Sequence, residues 1–212
     1  MIIAIDGTTA SGKGTIAKRL SAHYGLPHMD TGRLYRATGV AAMRAGVALD
    51  DADGVAAVAR SLDLTDFDEA DLRTAEAGKA ASVVAAIPEV RQALFELQRA
   101  FATQPLGALL DGRDIGTIIA PEADAKLWVD ASVEVRGARR WKELCGQGSD
   151  IALETVIEQL RVRDQRDQSR KDAPAEMAAD AVLIDTTDLT IEAAVEKAIA
   201  AVEAAMARGN RA

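Results

Sequence analysis

The stretch IIAIDGTTASGKGTI, residues 2–16, decides the fold. Ile2 to Asp6 form a short β-branched run of the kind that fills a buried parallel strand. It runs directly into Gly7, Thr8, Thr9, Ala10, Ser11, Gly12, Lys13, Gly14 and Thr15, and then into IAKRLSAHYG, where Ile16 and Leu20 recur at helical spacing. Strand, glycine loop and helix are the context in which a G-x-x-x-x-G-K pattern carries chemistry. The glycines let the backbone wrap so that consecutive N–H groups point inward as an anion nest. The helix N-terminus adds partial positive charge, and Lys13 adds a full one for the β- and γ-phosphates. The residues from Gly7 to Thr15 are therefore read as a nucleoside triphosphate site. Gly14 stands where the common pattern has a Mg²⁺-binding Ser or Thr, and Thr15 follows it. The metal is accordingly expected to be held more by phosphates and water than by the loop.

The bulk composition narrows the class. With 212 residues, 49% of them hydrophobic, the chain can bury one substantial core. Only 3% are aromatic, so that core is aliphatic and alanine-rich. A formal net charge of −8 argues against nucleic acid as a partner, because a phosphate backbone calls for a basic face. The single cysteine, Cys145, cannot form an internal disulfide and is read as a small, semi-buried residue. His23 and His28 flank a helix end without metal-ligand spacing and are read as structural or surface residues. No apolar run reaches the roughly 18 residues of a membrane span, and no signal peptide precedes the first strand. The expectation is a cytoplasmic protein with no membrane partner.

Along the chain, Gly25 closes the first helix. Residues 33–47 and 52–62 read as helices, residues 62–76 as an acidic, weakly patterned stretch, and a further helix runs through Ala86. Pro88 opens PEVRQALFELQRAFA, with Val90, Leu94, Leu97 and Phe101 on one face. Strands follow at GALLDGRD, KLWVDA and AVLIDT, separated by helices over 133–144 and about 151–163, with an Arg/Asp-rich turn after the latter. A helix over about 190–207 closes the chain, its stripe of Ile191, Val195, Ile199 and Val202 facing the core. Strands alternating with helices imply an α/β fold with a parallel sheet covered on both faces. Ligands of such sheets sit beyond the carboxyl ends of the strands. That rule collects the phosphate loop, the Asp30–Arg36 segment and Gly112-Arg113-Asp114 in one cleft.

The phosphate loop, DTGRLYR (30–36), LDGRDIGT (110–117) and RDQRDQSR (163–170), in this order and spacing, closely resemble bacterial cytidylate kinases, and the resemblance covers nearly the whole chain. It implies a single P-loop kinase domain over 1–212, with a nucleoside monophosphate-binding insertion over about 31–100 and a lid over about 145–172. The activity implied is transfer of the γ-phosphoryl group of ATP to CMP and dCMP, with Mg²⁺ accompanying ATP. On this resemblance Thr31 hydrogen-bonds the cytosine ring, Arg91 meets the acceptor edge of the base, and Asp114, beside Gly112, accepts from the exocyclic amino group. Cytosine presents an N4 donor where uracil presents an O4 acceptor, so a carboxylate there attracts one and repels the other. Arg36, Arg113 and Arg170 clamp phosphates in the bidentate manner of guanidinium groups. Ser82, Arg163 and Asp167 face the ribose. Tyr35 either packs on the nucleotide or fills the core beneath it.

Lys13, Arg113 and Arg170 form the implied catalytic set, and Asp111 is the candidate for orienting Mg²⁺-bound water. Arg161 and Arg166 are left as a solvated helix face or as ATP-phosphate contacts. Arg136, Arg139 and Arg140 either line the ATP side of a lid or decorate a helix. The acceptor phosphate is already anionic, so no general base is needed and catalysis reduces to positioning and charge neutralisation. Gly146-Gln-Gly148-Ser is the expected hinge of the lid. Departures from the resemblance are the short stretch 61–76, where a β-rich insert is more usual, and APAEMAADA after Arg170. The competing readings are a kinase for UMP, AMP or shikimate, which want other base-reading groups, and a nucleotide-sensing switch, for which no Asn-Lys-x-Asp segment is present. A monomer is expected.

Overall fold

A computed structural model describes residues 1–209, and its chain divides into two compact units. One comprises Met1–Met29 together with the chain from Phe101 onward; the other is Asp30–Ala100. The first is built on a sheet of strands β1 (Ile2–Gly7), β2 (His28–Asp30), β3 (Ala108–Gly112), β4 (Ala125–Asp130) and β5 (Val182–Asp185), in the order β2-β3-β1-β4-β5. β1 lies at the centre, paired in parallel with β3 (Ile3 opposite Leu109) and with β4 (Ile3 opposite Ala125). Its residues from Ile3 to Gly7 lie in the buried class or at its margin, as a central parallel strand requires.

Helices α1 (Lys13–Tyr24), α7 (Val133–Gly146), α8 (Leu153–Gln168) and α9 (Ile191–Gly209) belong to the same unit. Its largest apolar cluster joins Ile3, Ile5 and Leu127 of the sheet to Ile16 and Leu20 of α1 and to Ala194, Ala198 and Val202 of α9. The stripe expected on α9 is thus only partly right. Val202 is buried and Val195 and Ile199 pack against the cluster, but Ile191 is exposed and the alanines 194 and 198 make the closest approach.

Most element bounds differ from the sequence reading by one to three residues, because fraying ends are set by local hydrogen bonding rather than by apolar period. Two differences are larger. The Arg/Asp run after residue 163 is not a turn: α8 continues through it to Gln168, and this places Arg163, Asp164 and Asp167 on successive turns of one helix. The short HMD segment is a strand, β2.

The second unit is helical throughout: α2 (Thr31–Arg44), α3 (Ala52–Arg60), a 3₁₀ turn at Leu64–Asp66, α4 (Glu69–Leu72), α5 (Ala75–Val84) and α6, which begins at Pro88 and runs to Ala102. Asp30 caps α2 by accepting from Arg33 N–H, and Thr74 caps α5 by accepting from Ala77 N–H. The acidic stretch read as weakly patterned holds two buried anchors, Phe67 and Leu72, which join Ala37, Val40 and Ala77 in a small core. On α6 the expected face is shifted. Leu97 is 44% exposed, whereas Gln98 is 1% exposed and turns its amide back to the Leu94 carbonyl at 3.0 Å. The buried set is therefore Val90, Leu94, Gln98 and Ala102, a four-residue repeat that the apolar pattern alone conceals.

α2 and α5 approach closely at Gly39, where a Cβ would stand 2.7 Å from the Cβ of Ala80. The two helices need a residue without a side chain there. Gly39→Val should lower stability by about 1–3 kcal/mol through overpacking, despite its gain in helix propensity. A urea midpoint that is unchanged or raised would show the contact to be loose.

Candidate active site

The end of β1 and the loop after it are shaped by close approach to β4. Gly7 has φ +150°, and a side chain at this position would collide with the Val129 carbonyl. Thr8 then donates its N–H to that same carbonyl at 3.3 Å and its hydroxyl to Asp130 at 2.6 Å. Within the loop, Ser11 Oγ donates to the Thr8 carbonyl at 2.9 Å, and Ala10 takes a left-handed φ of 63°. A non-glycine residue in that region is a stored strain of the kind found at binding loops. Gly12 is the N-cap of α1 at φ 94°, and Lys13 is its first helical residue. The loop thus presents its amides and a helix N-terminus together, the arrangement that favours an anion.

Three arginines of this unit contact the loop from outside it. Arg113 donates to Thr9 Oγ1 at 2.7 Å and Arg136 to the Thr9 carbonyl at 3.3 Å. Arg139 donates to the Ser11 carbonyl at 3.3 Å and to the Thr186 carbonyl at 2.8 Å. Each of the first two is also paired with a carboxylate one turn apart on α8: Arg113 with Asp167 at 3.3 Å, Arg136 with Asp164 at 2.7 Å. Arg163 and Arg170 bring guanidinium nitrogens to 4.0 Å from the Asp167 carboxylate. One buried acid, Asp167, thus faces three arginines. Gly7, Thr8, Arg113, Asp164, Asp167 and Gln168 line a narrow pocket at this point.

Asp111, at the end of β3, lies between two bases. Lys13 Nζ is 3.7 Å from one of its oxygens and His28 Nε2 2.7 Å from the other. Asp6, fully buried, accepts from the N–H groups of Ile115 and Gly116, both at 2.8 Å. Burial pushes its pKa up to about 7, the carboxylate of Asp114 pushes the same way, and the two backbone donors and Arg113 offset this only in part. Gly112, Arg113 and Asp114 form the turn between β3 and a π-helical segment, Ile115–Ile119, and Asp114 is buried.

In the second unit, Thr31, Tyr35 and Arg36 all lie on the first turns of α2, Ser82 on α5 and Arg91 on α6. Arg36 pairs with Asp30 at 2.7 Å, and the Arg91 guanidinium lies 5.7 Å from the centre of the Tyr35 ring. Thr31, Tyr35 and Ser82 are buried in spite of their hydroxyls.

His28 is structural, the first of its two sequence readings, as the partner of Asp111. Other readings change. Cys145 is exposed rather than semi-buried. Arg136 and Arg139 are neither decoration nor solvent-facing; both bind phosphate-loop carbonyls. Arg161 does sit on a solvated face, with Glu134 at 3.3 Å and Glu158 at 3.7 Å. Asp6, Asp130 and Asp164 went unread, although the first two end strands at the edge where ligands collect, a signal open to inspection.

The model of the Cytidylate kinase family matches residues 3–204. Cytidylate kinases of Methylocella silvestris and Xanthobacter autotrophicus are each 58% identical to the chain, over 97% and 96% of it and 95% and 98% of their own lengths. The chain belongs to the cytidylate kinase family. Its fold is shared more widely: a gluconokinase from Sinorhizobium meliloti superposes with a TM-score of 0.51 at 12% identity over 98% of this chain and 94% of its own. A sugar kinase from Janibacter does so with 0.51 at 15% identity, over 97% and 95%. Membership of the cytidylate kinase family agrees with a site organised around phosphate.

Two measurements probe this site without substrate. Arg136→Met leaves the half-buried Asp164 without its partner and the Thr9 and Ala131 carbonyls without this donor, and should cost about 1–3 kcal/mol in urea unfolding, below the range for breaking a fully buried pair; a loss below about 0.5 kcal/mol would show these contacts to be dispensable. Asp6 has a folded-state pKa above its unfolded value of 3.8, so the folded chain holds its proton longer. Native stability relative to Asp6→Asn should therefore fall as pH rises from about 4 to about 7, and stay level above. A difference independent of pH would contradict the raised pKa.

Proposed function

We propose that this chain transfers the γ-phosphoryl group of ATP to CMP and dCMP, giving ADP and CDP or dCDP, as a single kinase domain over 1–212. The observation that carries this reading is the cluster of Arg113, Arg163 and Arg170 around Asp167, tied by Arg113 to Thr9 of the phosphate loop. Guanidinium groups beside a triphosphate loop suit a second phosphate, and the acceptor is one. Relatives named cytidylate kinase at 58% identity over nearly the full chain support the choice of acceptor.

The roles follow from the chemistry of each side chain. Gly7, Thr8, Thr9, Ala10, Ser11, Gly12, Lys13, Gly14 and Thr15 cradle ATP, with Lys13 on the transferring phosphoryl group. Arg113 and Arg170 neutralise the charge that moves from donor to acceptor. In CMP binding, Thr31, Arg91 and Asp114 read the base, with Gly112 giving the turn its shape. Arg36 takes the acceptor phosphate; Ser82, Arg163 and Asp167 face the ribose, and Tyr35 supports Arg91. Asp167 serves twice, holding three arginines apart until the phosphates arrive and then accepting from a sugar hydroxyl.

Residues 31–100 act as the acceptor-binding insertion and 145–172 as the lid, whose helix α8 carries both Asp164 and Asp167. Trp141 Nε1 donates to the Ile151 carbonyl at 2.9 Å and so ties the two ends of the hinge around Gly146–Ser149. A closed lid keeps water from the phosphoryl group.

Among the described residues no group of three or more His, Cys, Asp or Glu is arranged to hold a metal. The donor set suits a metal bound chiefly through phosphates and water, with Asp111 the carboxylate able to hold its water. Mg²⁺ arriving with ATP would supply neutralisation of phosphate charge. Lys13 and His28 keep Asp111 oriented meanwhile. No helix among the described residues is long and apolar enough to cross a membrane. The working form is a cytoplasmic monomer whose partners are the two nucleotides.

The deciding experiment is ADP formation from Mg-ATP against CMP, dCMP, UMP, AMP, GMP and shikimate. Fast turnover confined to CMP and dCMP is expected, while Lys13→Met should fold normally and lose at least 100-fold in kcat, on the order of the 3–4 kcal/mol that one electrostatic stabiliser contributes. Asp114→Asn should reduce the preference for CMP over UMP by roughly 5- to 100-fold, as expected for loss of a single base contact. A preference for another acceptor would overturn the base-reading roles; near-normal turnover in Lys13→Met would overturn the mechanism.

A further inference from the structure

We propose that Asp6 is a positioning residue for the acceptor side of the reaction: through hydrogen bonds from the Ile115 and Gly116 amides it fixes the Gly112–Asp114 turn against the end of the central strand. The inference rests on the roles proposed above for Arg113 and Asp114, and no such role follows from the phosphate-loop pattern, which begins one residue later.

The geometry is specific. Asp6 is the last residue before Gly7, and its neighbours across the sheet are Gly112 on β3 and Trp128 on β4. Its two carboxylate oxygens divide the work, Oδ1 accepting from Ile115 and Oδ2 from Gly116, each at 2.8 Å. These amides are consecutive and open the π-helical segment Ile115–Ile119. The first amides of any helix lack partners inside it, and here Asp6 supplies them from 109 and 110 residues away. Asp114 lies immediately before the pair, and its own side chain makes no capping bond to the segment. The turn that carries Arg113 and Asp114 is thus hung between β3 on one side and Asp6 on the other.

The phosphate loop is anchored differently. Thr8 is tied to Val129 and Asp130 on β4, on the opposite side of β1 from β3. Loss of the Asp6 carboxylate therefore releases the acceptor-side turn, and with it the Arg113 contact to Thr9, while leaving the loop its attachments to β4, Arg136 and Arg139. The charged groups facing Asp6 are the Asp114 carboxylate and the Arg113 guanidinium. Lys126 passes beside Gly116 but spends its ammonium on Asp180 at 3.0 Å. The ionised carboxylate accepts at both oxygens. When protonated, one oxygen becomes a hydroxyl, and the grip on the two amides weakens. With its pKa raised to about 7, Asp6 makes this change within the neutral range.

The test is Asp6→Asn, in which one oxygen becomes an amide group that cannot accept from the facing N–H. The expected result at pH 8 is a rise of about tenfold or more in KM for CMP, a change of less than about threefold in KM for ATP, and a CMP-over-UMP preference reduced about tenfold. Equal losses toward ATP and CMP, or an unchanged base preference, would overturn the proposal, because a purely structural residue would not separate the two nucleotides. A second measurement needs neither the variant nor the substrate assignment: hydrogen exchange of the Ile115 and Gly116 amides in the native protein. They should be as protected as the β3 amides at pH 8, and their protection, corrected for intrinsic rate, should fall as pH drops through 7. Exchange at both amides as fast as in exposed turns across pH 5–9 would remove the clamp. If exchange behaves as expected but CMP is not the acceptor, the clamp stands and the choice of substrate falls.

Discussion

The gathering of guanidinium groups beside one phosphate loop is the constraint around which this structure is arranged. Guanidinium groups this close repel one another, and the chain answers with carboxylates on α8. Asp167 faces Arg113, Arg163 and Arg170, and Asp164 pairs with Arg136. Because residues 164 and 167 are one helical turn apart, both acids meet the loop from the same face of α8. One acid, Asp167, is shared by three arginines, which can exchange a carboxylate for phosphate oxygens.

The same edge of the sheet carries a second layer of acids. β4 and β5 end in an aspartate, Asp130 and Asp185, and β1 and β3 carry Asp6 and Asp111 one residue before their closing glycine. Each is answered locally. Asp6 takes two amides, Asp111 takes Lys13 and His28, and Asp130 takes the Thr8 hydroxyl and the Ala131 amide. Asp185 is held below the usual carboxylate range, first by the Thr187 hydroxyl and then by its amide. An acid at the end of a parallel strand is thus a fixing point for the loop that follows. Negative charge so close to a phosphate site is tolerable because nearly all of it is committed to a donor.

In the helical unit, the fit between elements comes from small residues. Gly39 against Ala80 lets α2 and α5 meet almost backbone to backbone, and the acidic segment between α3 and α5 contributes only Phe67 and Leu72 to the core. With so few aromatics in the chain, close approach replaces side-chain bulk as the source of packing. Tyr35 and Phe67 are buried rings that lie against the guanidinium groups of Arg91 and Arg44.

By itself the sequence determined the strand–loop–helix unit at residues 2–24, the alternation that makes a parallel sheet, and the family, because these depend on local period, on glycine's freedom and on motif order. Only the tertiary structure decided how the charged side chains are paired. His28 with Asp111, Arg136 with Thr9 and Asp164, and Asp6 with Ile115 and Gly116 join residues from 28 to 127 positions apart. It likewise decided that α8 runs on through its charged end, and that Gln98 rather than Leu97 is buried. A buried polar group is placed by the partner that satisfies it, and a partner distant in the chain leaves no mark on local pattern.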